Sequence, residues 1–428
     1  MKKRLLALTI ILAMLVGLFA ACADQAERTT EPMPADAPTE NVEPYVPRED
    51  EPPPTSVTDG NPDAAKGAIV DFSQTLFREV LAQGENNPVI SPLSAYYALA
   101  MAALGAGGEI RAAFEAVLGR DPETLARDLR TLTQQLTGTS GSTELNIAGS
   151  VWTDEDFTID PTFARAMADY FDALALSRDF GAPRTVDEIN TWVAERTEGL
   201  IEELIESIDP EVFMLLINTL YFSARWAEAF NPMTEYQGVF HPDTGGSIEA
   251  PFLTTGRNAL AVSVTDTYEA VMLPYDDGRL GFLIARPTDG TSVRDFAASQ
   301  DLGAMIAGLE LHDEVQVHMP KLDLEFEIRL NDQLKAMGLE DAFDPDLADF
   351  SGLLEEDCPL WIGFVLQKVR LLVDEEGTEA AAATAVAVFG TSFPLDLIEL
   401  IFDTPYLYAI YDLETGIPLF MGVLDNPA

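Results

Sequence analysis

Cysteine, histidine and positive charge are all scarce in this chain. Only two cysteines occur, Cys22 and Cys358. With Cys22 in an N-terminal processing segment, Cys358 has no intrachain partner for a disulfide, so stability must come from packing. Acidic neighbours (Glu355, Glu356, Asp357) surround Cys358, and they raise a thiol pKa and suppress the nucleophilic thiolate. Cys358 therefore reads as structural. The three histidines, His241, His312 and His318, fall in no H-E-x-x-H or H-x-E pattern and are not spaced to build a zinc site with Cys358. The chain also lacks G-x-S-x-G, a P-loop, an EF-hand loop and any G-x-G-x-x-G that opens a helix. No enzyme activity, no metal and no cofactor is expected.

Lys and Arg number 25 against 72 Asp and Glu, a formal charge of -47. Such a surface repels phosphate, which argues against nucleic acid and anionic lipid as partners. It keeps the protein soluble and would attract basic proteins, and it equally fits adaptation to salt. Long apolar runs are also missing. The longest early one, Leu5 to Phe19, is short for a membrane span. It follows Lys2, Lys3 and Arg4 and precedes Ala20 and Ala21, the layout of an export signal over residues 1–21. Ala20-Ala21-Cys22 is similar to a lipoprotein processing site, which would make Cys22 the lipidated mature N-terminus. Ala21-Cys22-Ala23 also fits plain secretion. A cell-surface or periplasmic-side lipoprotein is the favoured expectation, with a secreted protein as the alternative.

Residues 22–62 are rich in Pro, Glu, Asp and Thr and read as a disordered acidic tether. From residue 63 to 428 no second linker interrupts the chain. Ala64 to Ala82 has helical spacing (Ile69, Phe72, Leu76, Val80), and Ser91-Pro92 opens a second helix that closes at Gly105–Gly108. Strands are expected at Leu145 to Trp152, Val212 to Phe222, Ala261 to Leu273, Leu280 to Arg286 and Leu322 to Phe326. Later ones follow at Leu366 to Val373, Leu407 to Tyr411 and Phe420 to Leu424. Helices come mainly first and strands later, an α+β order. No internal repeat is present.

One stretch resists the simplest reading. Val373-Asp-Glu-Glu-Gly-Thr-Glu-Ala-Ala-Ala-Ala-Thr-Ala-Val-Ala-Val-Phe389 would by propensity form a short helix capped by Thr378. Yet the alanines pass into Val386, Val388 and Phe389, and no charge follows Glu379 until Asp396. Such a segment is an aggregation hazard when exposed and a reasonable strand when buried.

This stretch resembles the hinge and reactive loop of the serpins. Other motifs similar to that family run in order along the chain. They are Asn87-Pro-Val-Ile-Ser-Pro-Leu-Ser94, Leu145-Asn-Ile-Ala148, Asn218-Thr-Leu-Tyr-Phe222 with Trp226, Phe230 and Thr234, and Leu273-Pro-Tyr275. Pro320-Lys321, Met337-Gly-Leu339, Asp349-Phe-Ser-Gly352, Pro405-Tyr-Leu-Tyr408 and Leu419-Phe-Met-Gly422 complete the series. The resemblance covers residues 64 to 426. It implies helices packed around three β-sheets with an exposed reactive-centre loop.

It also implies a suicide inhibitor of serine proteases, with papain-like cysteine proteases as a second class of target. The protease cleaves the loop, is held as an acyl-enzyme and is dragged as the loop enters the main sheet. The hinge is then Glu375, Glu376, Gly377, Thr378, Glu379, Ala380, Ala381, Ala382, Ala383 and Thr384. Family spacing from Glu375 puts the reactive bond at Thr391-Ser392, with Phe389 and Phe393 as alternatives. Thr378, Ala380, Ala382, Thr384, Val386 and Val388 would share the buried face of the inserted strand, and none is charged. Ser91, Ser94 and Asn218 match the polar cluster that gates the sheet, with Gln367 where a His is usual, and Trp226 matches the top of the sheet. The partner implied is a target protease and the chain a monomer. Two other functions fit less of the sequence: a non-inhibitory serpin used for binding, and a surface solute-binding lipoprotein.

Overall fold

Proline at the first turn starts five of the helices, a position where its missing N–H costs nothing. In the computed structural model the described residues are 60–137, 142–230, 235–375 and 397–427, together with the backbone of 9–20. Chain order begins with β1 (Thr9–Ala20), α1 (Pro62–Leu81), β2 (Val89–Ile90), α2 (Pro92–Ala103), α3 (Gly108–Leu118) and α4 (Pro122–Leu136). Next come β3 (Glu144–Asp154), α5 (Pro161–Phe171), β4 (Leu174–Arg178), α6 (Pro183–Arg196) and β5 (Val212–Ser223). A strand-rich half follows: β6 (Tyr236–Phe240), β7 (Ile248–Thr254), β8 (Asn258–Val264), β9 (Tyr268–Pro274) and β10 (Leu280–Pro287). After α7 (Val293–Ser299) and α8 (Leu302–Ala307) come β11 (Glu310–Pro320), β12 (Leu322–Arg329), α9 (Asn331–Leu334) and β13 (Leu360–Val373). The chain closes with β14 (Ile398–Ile401), β15 (Tyr406–Asp412) and β16 (Ile417–Leu424). The α+β order expected from the sequence is the order observed.

Capping fixes several helix starts. Ser91 accepts from the Ser94 N–H at 3.3 Å, Asp121 from Thr124 at 3.1 Å and Asp160 from Phe163 at 3.1 Å. Gly105–Gly108 does more than end a helix: Gly107 is the N-cap of α3. Two expectations shift. The continuous strand Ala261 to Leu273 is two strands, β8 and β9. The Thr265 hydroxyl accepts from the Thr267 and Tyr268 N–H groups and folds the chain into a turn. The strand expected from Leu366 begins earlier, at Leu360.

Among the described residues the strands form two hydrogen-bonded sheets. The six-stranded sheet runs β12-β13-β1-β5-β3-β4, and a ten-stranded one follows β2-β16-β15-β10-β9-β8-β11-β7-β6 with β14 beside β11. The family resemblance implied three sheets. Here β11 pairs with β8 through residues 310–315 and with β7 through 318–320, so one long strand joins two layers into one ladder. Helix α2 lies at the centre of the molecule with every residue buried, packed on β5, β1 and β16. A second apolar cluster sits under α6, where Trp192, Ile189 and Val193 meet Trp152, Leu215 and Ile217.

Of the acidic tether expected over 22–62, residues 22–59 lie outside the described residues, and Pro62 already opens α1. Cys22, hinge residues 376–384, and Phe389, Thr391, Ser392 and Phe393 also lie outside the described residues. The segment expected as an export signal contributes β1 to the centre of the six-stranded sheet.

Candidate functional site

Strands β5 and β13 are apolar along most of their length, and they hold a twelve-residue strand between them. β1 is antiparallel to both: Ile10 stands opposite Leu371 and Phe222, Met14 opposite Gln367 and Asn218, and Leu18 opposite Ile362 and Met214. β5 and β13 are therefore parallel to each other and one strand apart. The ladder slips once on each side, between Gly17 and Leu18 against β13 and between Leu18 and Phe19 against β5. Away from these irregularities β1 is paired along both edges, which gives its backbone groups partners on each side.

Midway along the slot, buried polar side chains reach from both flanking strands to the first turn of α2. From β13, the Gln367 side-chain oxygen accepts from Ser91 N–H at 3.2 Å, and its amide donates to the Ser91 carbonyl at 3.1 Å. From β5, the Asn218 amide oxygen accepts from the Ser94 hydroxyl at 2.6 Å, and its nitrogen donates to the Ala148 carbonyl at 3.3 Å on β3. These four residues are 0–2% exposed, so each hydrogen bond replaces a solvation that burial removed. Gln367 and Asn218 sit opposite the same residue of β1 and bond to different serines. A filled slot keeps the two halves of the cluster apart, joined only through α2.

The top of the slot has a second clamp. Trp226 stacks on Tyr275 with centroids 4.8 Å apart at 6°, with Phe230 and Phe282 edge-on. Its indole N–H donates to the Asp374 carbonyl at 3.0 Å, and the Phe230 N–H donates to the Glu375 carbonyl at 2.8 Å. Lys321 lies 2.8 Å from Glu375 and 2.8 Å from Glu235. Burial pushes the Glu375 carboxyl up, but Lys321 outweighs it and holds the group below the ordinary carboxylate range. Burial likewise lowers the Lys321 ammonium, and its two carboxylate partners win and raise it. This clamp fixes Asp374 and Glu375, the first residue of the expected hinge.

The lower half is covered by the α6–β5 connection. Lys368 on β13 donates to the Glu203 carbonyl at 3.2 Å, and Asn190 of α6 accepts from the N–H groups of Leu204 and Ile205. Beneath it lies a cavity of about 720 Å³ walled by Ile205, Ile208, Leu215, Phe364 and Leu366. After residue 396, β14 pairs in parallel with β11. There the His318 ring takes Thr254 on Nδ1 at 3.2 Å and faces Glu399 with Nε2 at 3.2 Å. Burial lowers its pKa against the pull of Glu399.

Chain direction ties these parts together. After β13 the chain reaches Asp374 and Glu375 at the Trp226 end. A strand turning back from Glu375 into the slot would run antiparallel to β13, in the direction β1 already follows. Of the residues singled out in the sequence, Ser91, Ser94, Asn218 and Gln367 come together at the centre, while Trp226 and Glu375 meet at the top. Sequence reasoning gave no role to Lys321, Glu235 or Asp374. The signal for Lys321 was present: a rare cation beside a proline in a strongly acidic chain.

Residues 67–427 match the family model described as Serpin (serine protease inhibitor). The chain is 32% identical over 369 residues to an uncharacterized serpin-like protein of Thermococcus kodakarensis, covering 84% of this chain and 85% of that one. It is 30% identical over 375 residues to plasminogen activator inhibitor 1 of Neovison vison, covering 83% and 92%. Among solved structures, the thermophilic serpin tengpin in its native state matches with a TM-score of 0.75 and 30% identity, over 84% of this chain and 93% of that one.

Proposed function

Because the chain belongs to the serpin family, whose members are generally serine protease inhibitors, we propose that it inhibits proteases by donating its own cleaved loop to its main sheet. The observation that carries this reading is the slot between β5 and β13, which takes a full antiparallel strand in the direction the loop would run. A protease serine attacks the carbonyl of the residue before the reactive bond, Thr391-Ser392 in this reading, and the new amine end departs with the C-terminal fragment. The loop side stays bonded to the protease as an ester. Strand entry then carries that ester toward the far end of the sheet before water completes hydrolysis.

The hinge sequence supports rapid entry. Thr378, Ala380, Ala382, Thr384, Val386 and Val388 are uncharged and small or β-branched, so one face of the new strand can be buried without an unpaired charge. The upper clamp supports controlled entry, since Trp226 and Lys321 hold the residues from which the strand must turn. We further propose that residues 1–21 direct export and that Cys22 carries a lipid anchor, with the acidic tether spacing the folded domain from a surface.

The test is incubation with elastase, chymotrypsin and subtilisin, followed by denaturing electrophoresis. A band at the summed mass of protein and protease is the expected result, and the mass of the C-terminal fragment identifies the bond. Cleavage in the loop with no such band at any ratio overturns the reading in favour of a non-inhibitory member.

A further inference from the structure

The strand in the slot is not the loop. It is Thr9–Ala20, supplied by the N-terminus of the same chain. We infer that this segment is an intramolecular ligand of the acceptor slot, so that a molecule retaining it is locked against insertion of its own loop until the segment is removed. The inference rests on the inhibitory reading above and deepens it.

Three observations carry it. First, the pairing is two-sided and extensive: β1 is in register with β13 from Ile10–Leu371 to Ala20–Leu360, and with β5 from Thr9–Ser223 to Phe19–Val212. Second, β1 runs in the direction required of the loop, so both would use the same rows of amide and carbonyl groups on β5 and β13. One strand fits and the other is excluded. Third, the composition suits the place. Thr9–Ala20 contains no charge and no proline, and its branched and long apolar residues outweigh the alanines of Ala380–Ala383 in the hydrophobic area a strand can bury.

Connection is feasible. Residues 21–59 separate Ala20 from Gly60 in sequence, and a chain of that length has a maximum reach on the order of 100 Å at roughly 3.3 Å per residue. A single cut after Ala21 would sever the strand from the domain while leaving the tether in place. A precursor with its segment attached would then meet a protease as substrate, whereas the processed protein would trap it.

The experiment compares the full chain with a full-length L12P/V16P double variant, in which two prolines interrupt the ladder. A fluorescent peptide of the sequence Thr378–Phe389 is offered to each, and bound label is read on a native gel. Amide exchange along β5 and β13 is measured in parallel. The unmodified chain should show protected strands and little uptake. The variant should show faster exchange and roughly tenfold more bound peptide, the ratio that one lost pair of ladder hydrogen bonds supplies. Equal uptake and equal exchange in both chains would overturn the inference. Should the double variant fail to fold, Met14→Asp places a charge at the centre of the strand without a proline and is read the same way. Trapping of protease is scored separately. A variant that takes up peptide yet traps no protease leaves the slot assignment intact and removes the inhibitory reading instead.

Discussion

Replacing Lys321 by methionine isolates the upper clamp from the rest of the site. The ammonium bridges Glu375 and Glu235 at 2.8 Å each, with the three side chains 27%, 17% and 36% exposed. A fully exposed pair would be worth less than about 1 kcal/mol. A hydrogen bond to a charged group in partial burial contributes about 1.5–3 kcal/mol. Two such contacts, discounted for solvent access, give about 2–3 kcal/mol, including the cost of leaving Glu375 beside Glu235 with no cation. Lys321→Met should therefore lower the melting temperature of the intact protein by roughly 2–5 °C.

The clamp also holds the mouth of the slot. If the pair is broken when the strand begins to enter, losing 2 kcal/mol shortens the lifetime of the inhibitory form by about thirtyfold. The pH signs follow. Glu375 is held below its ordinary range, so its contribution is present above the ordinary carboxylate pKa and is lost as pH falls through the lowered value. Lys321 is raised, so its contribution is present below the ordinary lysine pKa and is lost as pH climbs through the raised one. The variant should therefore lose less stability on acidification than the parent. Calorimetry from neutral to acidic pH measures this, and complex formation after timed incubation at 37 °C measures the lifetime. An unchanged melting temperature together with an unchanged lifetime would refute the clamp.

Other changes probe the remaining parts. Thr378→Arg should abolish the stable protease complex and leave the protein cleaved as a substrate, seen by electrophoresis. Trp226→Phe removes the indole bond to the Asp374 carbonyl and should cost about 1 kcal/mol by denaturant titration. Gln367→Ala leaves the buried Ser91 N–H without its acceptor and opens a small void, so a loss of about 2–4 kcal/mol is expected by the same titration.

Local chemistry explains what could be read without coordinates. The Ser91-Pro92 start of α2 was legible because proline and a capping serine act within one turn. The split between β8 and β9 was not, since a threonine side chain makes that turn and no glycine or proline marks it. Grouping Gln367 with Ser91 came from resemblance, because 276 residues separate the partners and no periodicity links them. The Lys321–Glu375 pair is also non-local: 54 residues of sheet and helix bring it together. The least legible feature is β1. An apolar run behind three basic residues reads as a leader, and nothing in its composition shows that it can also pair with β5 and β13, strands more than 190 residues away.

Strands β15 and β16 have a consequence for the molecule once its loop is cut. Every residue in both is buried, and β15 lies between β10 and β16. Any break within 376–396 makes the C-terminal piece a separate polypeptide, yet that piece supplies the middle of a sheet. It has no route out short of global unfolding. The nicked protein is thus a two-chain heterodimer held without a covalent link, by core packing and by the sheet ladders β10–β15 and β11–β14, and two peptides divided at that point should be able to reassemble the fold.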